Sequence, residues 1–243
     1  MRVAVLSDIH SNLAALDAVL GSLGTVDAVW HLGDVVGYGP EPDGVVQRLR
    51  DVAAIGVRGN HDDAACGGAT IESFNVDARA AAEWTRARIG EETRTYLAAL
   101  PELIAPAGSS FTLVHGSPRH PIWEYLDSPW AAEQNLALLD TPHCFVGHTH
   151  VPIVFRERRR GGMEATAVPP ESRLRLDDRR VVLNPGSVGQ PRDGNPAASY
   201  VILDTAAGLA TWRRVAYDIG ATQAAMKAAG LPPRLVRRLS FGQ

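Results

Sequence analysis

Cysteine is nearly absent from this 243-residue chain, where Cys66 and Cys144 are the only two. Two thiols make no disulfide framework, so an apolar core must hold the fold, and free thiols fit a reducing compartment. No apolar run reaches the roughly 18 residues of a membrane-spanning helix. The opening Met1-Arg2-Val3-Ala4-Val5-Leu6 is too short for a secretory leader. A cytoplasmic protein with no membrane partner is therefore expected. Positive charge is not in excess. There are 24 Lys and Arg against 27 Asp and Glu, a formal net charge of −3, so no overall field draws nucleic acid. Repeats and long low-complexity segments are missing too. What remains is an ordinary globular mixture, 45% hydrophobic and 21% charged, read as a single domain over residues 1–243.

Apolar runs alternate with helical patterns in the first half. Val3–Leu6, Ala28–Leu32 and Ala53–Val57 read as buried strands. Leu13, Leu16, Leu20 and Leu23 recur at helical spacing before Gly24, and Pro42–Val52 reads as a second helix. This rhythm predicts an α/β sheet with parallel pairing. Residues 63–100 break it with a polar start and a helix over Val76–Leu100, and form a cap-like excursion. Phe111–Val114 and Cys144–Val146 read as further strands and Pro129–Leu139 as a helix. Tyr200–Leu203 and Leu209–Val215 form a hairpin. Asp218–Gly230 reads as a surface helix, followed by a basic tail. Arg156–Arg180 reads as an exposed excursion between strands, since charge runs usually face water. Its sharper reading is an electrostatic guide for phosphate.

Five short pieces carry the chemistry: Asp8-Ile9-His10, Gly33-Asp34, Gly59-Asn60-His61-Asp62, His115-Gly116 and Gly147-His148-Thr149-His150. Most of them end an apolar strand. If parallel strands share a sheet, their carboxyl ends line one crevice. Converging Asp, His and Asn side chains there suit divalent ions. Each piece alone has a plainer reading. Asp8 can be a helix N-cap, Gly33-Asp34 a turn, and a lone histidine a packed core residue. Read as extended, Asp8 and His10 share one side of the chain, because a strand repeats every two residues. The five together point to metal.

In this order the pieces resemble the calcineurin-like metallophosphoesterase superfamily, and Asn184-Pro185-Gly186-Ser187-Val188 resembles a loop of its small bacterial phosphodiesterase-like members. The resemblance implies an α/β fold, a four-layer α/β/β/α sandwich with two mixed β-sheets. It implies two divalent metal ions, one held by Asp8, His10 and His150 and the other by Asn60, His115 and His148, with Asp34 bridging. A shared carboxylate offsets repulsion between the ions, and neutral Asn60 leaves the site positive toward phosphate. Mn²⁺ is the expected activator; histidine-rich ligation also permits Fe, Zn, Co or Ni. By resemblance His61 is catalytic rather than a ligand, a protonated imidazole aimed at the leaving-group oxygen. The implied reaction is hydrolysis of phosphodiester bonds in small molecules such as nucleotides, by attack of a metal-bridging hydroxide.

One departure narrows the branch. Ser/Thr phosphoprotein phosphatases continue the second motif as Gly-Asp-x-Val-Asp-Arg-Gly, whereas this chain reads Gly33-Asp34-Val35-Val36-Gly37-Tyr38-Gly39. Both the Asp that would pair with the catalytic histidine and the phosphate-binding Arg are missing. Asn12 and Tyr38, beside metal motifs, are candidate substrate contacts; a helix-start contact and a surface aromatic are their plain readings. Arg119 and Arg192 are further candidates against surface placement, and Trp84 and Trp123 are core residues or base-stacking ones. Asp62 either orients a ligand histidine or stabilises its turn. The rival functions are a phosphomonoesterase or nucleotidase, a non-catalytic scaffold with the same fold, and a DNA nuclease. The acidic balance argues against the last of these. A small phosphoester is the expected partner, and the oligomeric state stays open.

Overall fold

The computed structural model describes residues 1–68 and 71–243. Its strands are β1 Arg2–Leu6, β2 Ala28–His31, β3 Ile55–Gly56, β4 Leu103–Ile104, β5 Phe111–Val114, β6 His143–Phe145, β7 Ile153–Glu157, β8 Met163–Ala167, β9 Arg173–Arg175, β10 Val181–Asn184, β11 Ala198–Asp204 and β12 Leu209–Val215. Its helices are α1 Leu13–Ser22, α2 Pro42–Asp51, α3 Asn60–Cys66, α4 Val76–Arg88, α5 Glu91–Ala99, α6 Pro129–Leu136, α7 Ile219–Ala228 and α8 Pro233–Arg238, with a 3₁₀ turn at Ile71–Ser73.

The strands form two six-stranded mixed sheets, ordered β3-β2-β1-β11-β12-β9 and β4-β5-β6-β10-β7-β8. Each sheet contains one parallel trio. In the first, Leu6 pairs with His31 and His31 with Gly56, so β1, β2 and β3 end level. In the second, Leu113 and Leu183 both pair with Phe145, so β5, β6 and β10 end level. Those six carboxyl ends lead into the five motif pieces and the Asn184 loop.

The period of two decides which residues meet. Val3 and Val5 of β1 join Leu113, Phe145 and Leu183 in one apolar cluster shared by the two sheets. Ala4 and Leu6 point the other way and pack with Leu16 and Val19 of α1 and Val45 and Leu49 of α2. On the second sheet Val114, Cys144 and Val182 pack with Ala132 and Leu136 of α6. Each fully buried Leu, Val or Phe contributes about 1.5–3 kcal/mol by removal from water. Cys66 and Cys144 are both free thiols.

Several elements differ from the sequence reading. The helix expected over Val76–Leu100 is two helices. Ile89 has extended ψ of 134°, and the Gly90 amide that starts α5 donates to the Asp43 carboxylate. Residues 69 and 70 of that excursion lie outside the described residues. The polar Arg156–Arg180 stretch is not a plain loop. β8 extends the second sheet and β9 pairs with β12 of the first. These edge strands keep a solvated face, so their polar residues hide the strand pattern. The basic tail forms α8, whose Leu235 and Val236 are buried with Met226 of α7 and with Tyr38, Phe74 and Ala78. α7 is the surface helix expected there, with Thr222 and Met226 as its buried face.

Candidate metal centre

The ligand loops are built from left-handed backbone. Among the described residues nine non-glycine residues have positive φ, and seven of them lie here: Asp8, His10, Ser11, Asp34, Tyr38, His148 and His150. Each costs of order 1 kcal/mol or more and persists only where its surroundings over-determine it. The expectation that Asp8 and His10 share a side of an extended segment is thus incorrect, because β1 stops at Leu6 and both residues are left-handed. The loops are locked by mutual hydrogen bonds. Asp8 and His10 amides donate to the Gly33 and Asp34 carbonyls, and Gly189 donates to the Asp8 carbonyl. The Asn184 side chain donates to the Gly147 carbonyl and to Thr149 Oγ1, and Ser187 Oγ donates to the Asp8 carbonyl. Gly59 is required by close approach, since a Cβ there would lie 2.2 Å from Asp34 Oδ1.

All seven expected ligand side chains converge and all are buried. His10 Nδ1 donates to the Val36 carbonyl at 3.2 Å, His115 Nδ1 to Leu32 at 2.8 Å, His150 Nδ1 to Gln190 at 2.6 Å, and His148 Nε2 to Trp123 at 3.2 Å. A carbonyl only accepts, so each of these nitrogens carries the proton. The other nitrogen of each ring then presents a lone pair to the centre. His10 Nε2 faces His150 Nε2 at 3.2 Å, and His115 Nε2 faces His148 Nδ1 at 3.0 Å. Asn60 Oδ1 lies 3.1 Å from His115 Nε2. Asp34 Oδ2 lies 3.6 Å from His10 Nε2 and 3.5 Å from His115 Nε2, so one oxygen adjoins both groups. Asp8 Oδ1 is buried with no hydrogen-bond partner, 3.3 Å from His150 Nε2.

Facing lone pairs and an unpartnered carboxylate oxygen repel one another unless cations sit between them. The donor set therefore fits divalent ions. Two groups have donor atoms within 4.8 Å of one another: Asp8, His10, Asp34 and His150, and Asp34, His115 and His148.

The pKa directions agree. Burial holds the His115 imidazole down at about 3, and His10, His148 and His150 are likewise pushed far below the ordinary histidine range. These rings are neutral at pH 7, as ligands must be. Burial raises Asp8 to about 7 against the opposing hydrogen bond from Ser7, and raises Asp34 well above the usual carboxylate range, with Asp62 and Asp8 adding repulsion.

A cavity of about 210 Å³ opens onto this cluster, lined by Asp34, Asn60, His148 and His150 together with His61, Tyr38, Phe74, Trp123, Tyr125 and Arg192. His61 lies in the first turn of α3, and its amide donates to Asp34 Oδ1 at 2.8 Å. Its Nδ1 is buried without a partner against Gly37, which leaves Nε2 for the cavity. Gly37 stands where the phosphatase motif has its Asp. Burial, then Arg192, hold the His61 ring at about 3.

Tyr38 packs between His61, at 4.3 Å between ring centroids, and the Arg192 guanidinium. Asn12 is not brought to this cavity. It caps α1 through Ala15, donates to the Gly189 carbonyl and accepts from Thr222, so its amide serves the fold. Asp62 accepts from the Gly59 and Val36 amides, the turn-stabilising arrangement. Arg119 pairs with Glu124, and Trp84 donates to the Ala229 carbonyl. The sequence reading missed Phe74 and Tyr125; the latter ring stacks on His148 at 3.9 Å. Neither residue sits in a recognisable motif.

A family model for the calcineurin-like phosphoesterase superfamily domain matches residues 1–208. The chain belongs to that superfamily. An uncharacterised protein of Methanocaldococcus jannaschii is 38% identical over 99% of this chain and 98% of its own length. The phosphodiesterase YfcE of Escherichia coli K12 is 30% identical over 84% of this chain and 88% of its own. A metallophosphoesterase structure from Sphaerobacter thermophilus superposes with a TM-score of 0.90 at 45% identity, covering all of both chains. The two mixed sheets thus match the calcineurin-like fold. Among the described residues no helix is long and apolar enough to cross a membrane.

Proposed function

We propose that this protein is a divalent-metal-dependent phosphoesterase that hydrolyses phosphodiester bonds of small molecules such as nucleotides. The observation that carries this reading is the pair of facing histidine lone pairs around the shared Asp34 oxygen, open to a cavity that His61 lines. The name of the YfcE relative supports the diester choice. In this reading Asp8, His10 and His150 hold one ion, Asn60, His115 and His148 hold the second, and Asp34 serves both. Mn²⁺ is the ion we assign. When bound, such ions polarise a phosphoryl oxygen and lower the pKa of water.

The chain's own groups do the rest. Backbone carbonyls fix each ligand ring's tautomer, so no proton has to be displaced from the histidines at pH 7. His61 enters the complex neutral, with its Nε2–H available to donate to a phosphoryl or leaving-group oxygen. An anionic phosphate against the ring raises its pKa, so the ring takes up a second proton from solvent as substrate binds; that imidazolium gives its Nε2 proton to the leaving oxygen and returns to the neutral ring. Phe74, within the 63–100 excursion, and Tyr38 wall the cavity; we read the excursion as a cap on one domain spanning 1–243. Arg192 in the wall favours more anionic substrates, which makes a phosphomonoesterase the second reading.

The test uses metal-stripped protein with and without Mn²⁺, on bis-p-nitrophenyl phosphate beside p-nitrophenyl phosphate. Metal-dependent turnover favouring the diester supports the proposal, and preference for the monoester moves it to the second reading. His61→Ala is expected to keep its metal and lose about 10²–10⁴ in kcat, with a larger loss for alkyl than for nitrophenyl leaving groups. Metal loss with unchanged activity per bound ion would refute this role for His61.

A further inference from the structure

Arg192 is the one cationic side chain among the described residues that line the cavity. It lies beyond β10, past the Asn184 loop. Among the described residues no carboxylate lies within ion-pair distance of it. The adjacent Asp193 turns away to pair with Arg214. The Arg192 guanidinium makes one hydrogen bond, from Nη2 to Gln190 Oε1 at 3.1 Å, and its Nε is buried with no partner. Its Cζ lies 6.0 Å from the Tyr38 ring centroid. A half-buried guanidinium with no direct ion pair and one unpartnered N–H, in the wall of this cavity, has donors left to offer an anion.

The loop that presents it is bolted to the ligand set. The Arg192 amide donates to the His150 carbonyl. The Gln190 carbonyl accepts from His150 Nδ1, and the Gln190 amide donates to Ser187 Oγ, which in turn donates to the Asp8 carbonyl. Any shift of Arg192 relative to Asp8 and His150 strains that chain of bonds, so the guanidinium is pre-positioned against the same anion that the centre would take.

We infer that Arg192 is the substrate-phosphate anchor, its guanidinium holding a non-reacting phosphoryl oxygen while the ligand cluster engages the reacting ones. Gln190 and the Tyr38 face set its angle. The assignment rests on the phosphoesterase reading for its substrate, but not for its anion: inorganic phosphate carries the same oxygens. A guanidinium donates through a planar fork, which a lysine ammonium reproduces only as a point charge. Uncharged phosphotriesters can accept a hydrogen bond but carry no charge, so by the same argument they are expected to bind more weakly.

The experiment compares wild type with Arg192→Met and Arg192→Lys, each loaded with Mn²⁺ and assayed for metal content. Calorimetric binding of inorganic phosphate is expected to weaken roughly 10- to 100-fold in Arg192→Met and less in Arg192→Lys, with metal content unchanged. KM for bis-p-nitrophenyl phosphate is expected to rise by a similar factor, with kcat changed by less. Phosphate affinity equal to wild type in Arg192→Met would overturn the inference. So would loss of metal in both variants, which would make Arg192 a support for the ligands, or a wild type that binds no phosphate. Arg192-dependent phosphate binding in a protein that turns over no phosphoester would uphold the anchor and sink the proposed function.

Discussion

Gly37→Ala is a small change with a large expected effect. At φ of +89° this position disfavours any side chain, at about 1–3 kcal/mol. The methyl would also lie 2.6 Å from His61 Nδ1, 2.9 Å from its Cγ and 3.0 Å from its Cβ. Ordinary carbon contacts fall near 3.5–4.0 Å, so the ring has to retreat by about 1 Å. It has little room, because Tyr38, Phe74 and His10 surround it with ring centroids at 4.3, 4.8 and 5.0 Å, and its amide is tied to Asp34. A misplacement of about 1 Å can cost 10² in rate, and lost proton transfer 10²–10⁴. We expect kcat to fall about 10²–10³-fold with metal content retained. A destabilisation of 1–3 kcal/mol lowers Tm by about 2–12 °C in a chain of this length. Gly37→Asp, which restores the phosphatase motif's residue, is expected to fail in the same way, since its Cβ meets the same ring. The assay is Mn²⁺-dependent diester hydrolysis beside metal analysis and a melting curve. Wild-type kcat in Gly37→Ala, with its metal and a folded melt, would show that the position of the His61 ring is not what the reaction uses.

Two further perturbations probe the ligands. Asp34→Asn removes the charge of the oxygen that adjoins both histidine groups, so we expect it to bind fewer than two ions and to lose nearly all activity; elemental analysis that finds two ions would refute the shared role. Metal loading is expected to release protons from carboxyls rather than histidines. Asp8, raised to about 7, is about half protonated at pH 7 and Asp34 is raised with it, whereas the ligand histidines, all lowered, hold no proton to lose. Release therefore grows as pH falls toward 6 and cannot exceed about two protons, one per carboxyl, while four ordinary histidines would give about three at pH 6 and almost none at pH 8. Calorimetry in buffers of different ionisation enthalpy separates the two patterns.

How the site came to be legible in the sequence differs from residue to residue. Asp8, Asp34, Asn60, His115 and His148 each follow an apolar run closely, and the rule that parallel strands deliver their carboxyl ends to one crevice is enough to gather them. The register of Leu6 with His31 and of Leu113 with Phe145 makes that rule work here, by ending neighbouring strands level. Strand periodicity was the wrong reason for pairing Asp8 with His10. Their convergence needs two left-handed residues in one loop, and nothing in the local sequence announces a non-glycine φ near +50°. The edge strands β4, β8 and β9 escaped detection because two to five residues with a wet face leave little period to read. Arg192 illustrates a third kind of gap. Its chemistry lies in what it lacks, a carboxylate partner, and that is decided by Asp193 pairing with Arg214 on β12 and by Gln190 being fixed to His150. Both facts are tertiary. In the sequence, Arg192 is one of two arginines weighed as substrate contacts against surface placement, with nothing to choose between them. In the fold the charges of Arg192 and Asp193 part, and Arg192, left without a direct ion pair, lines the cavity where an anion would bind.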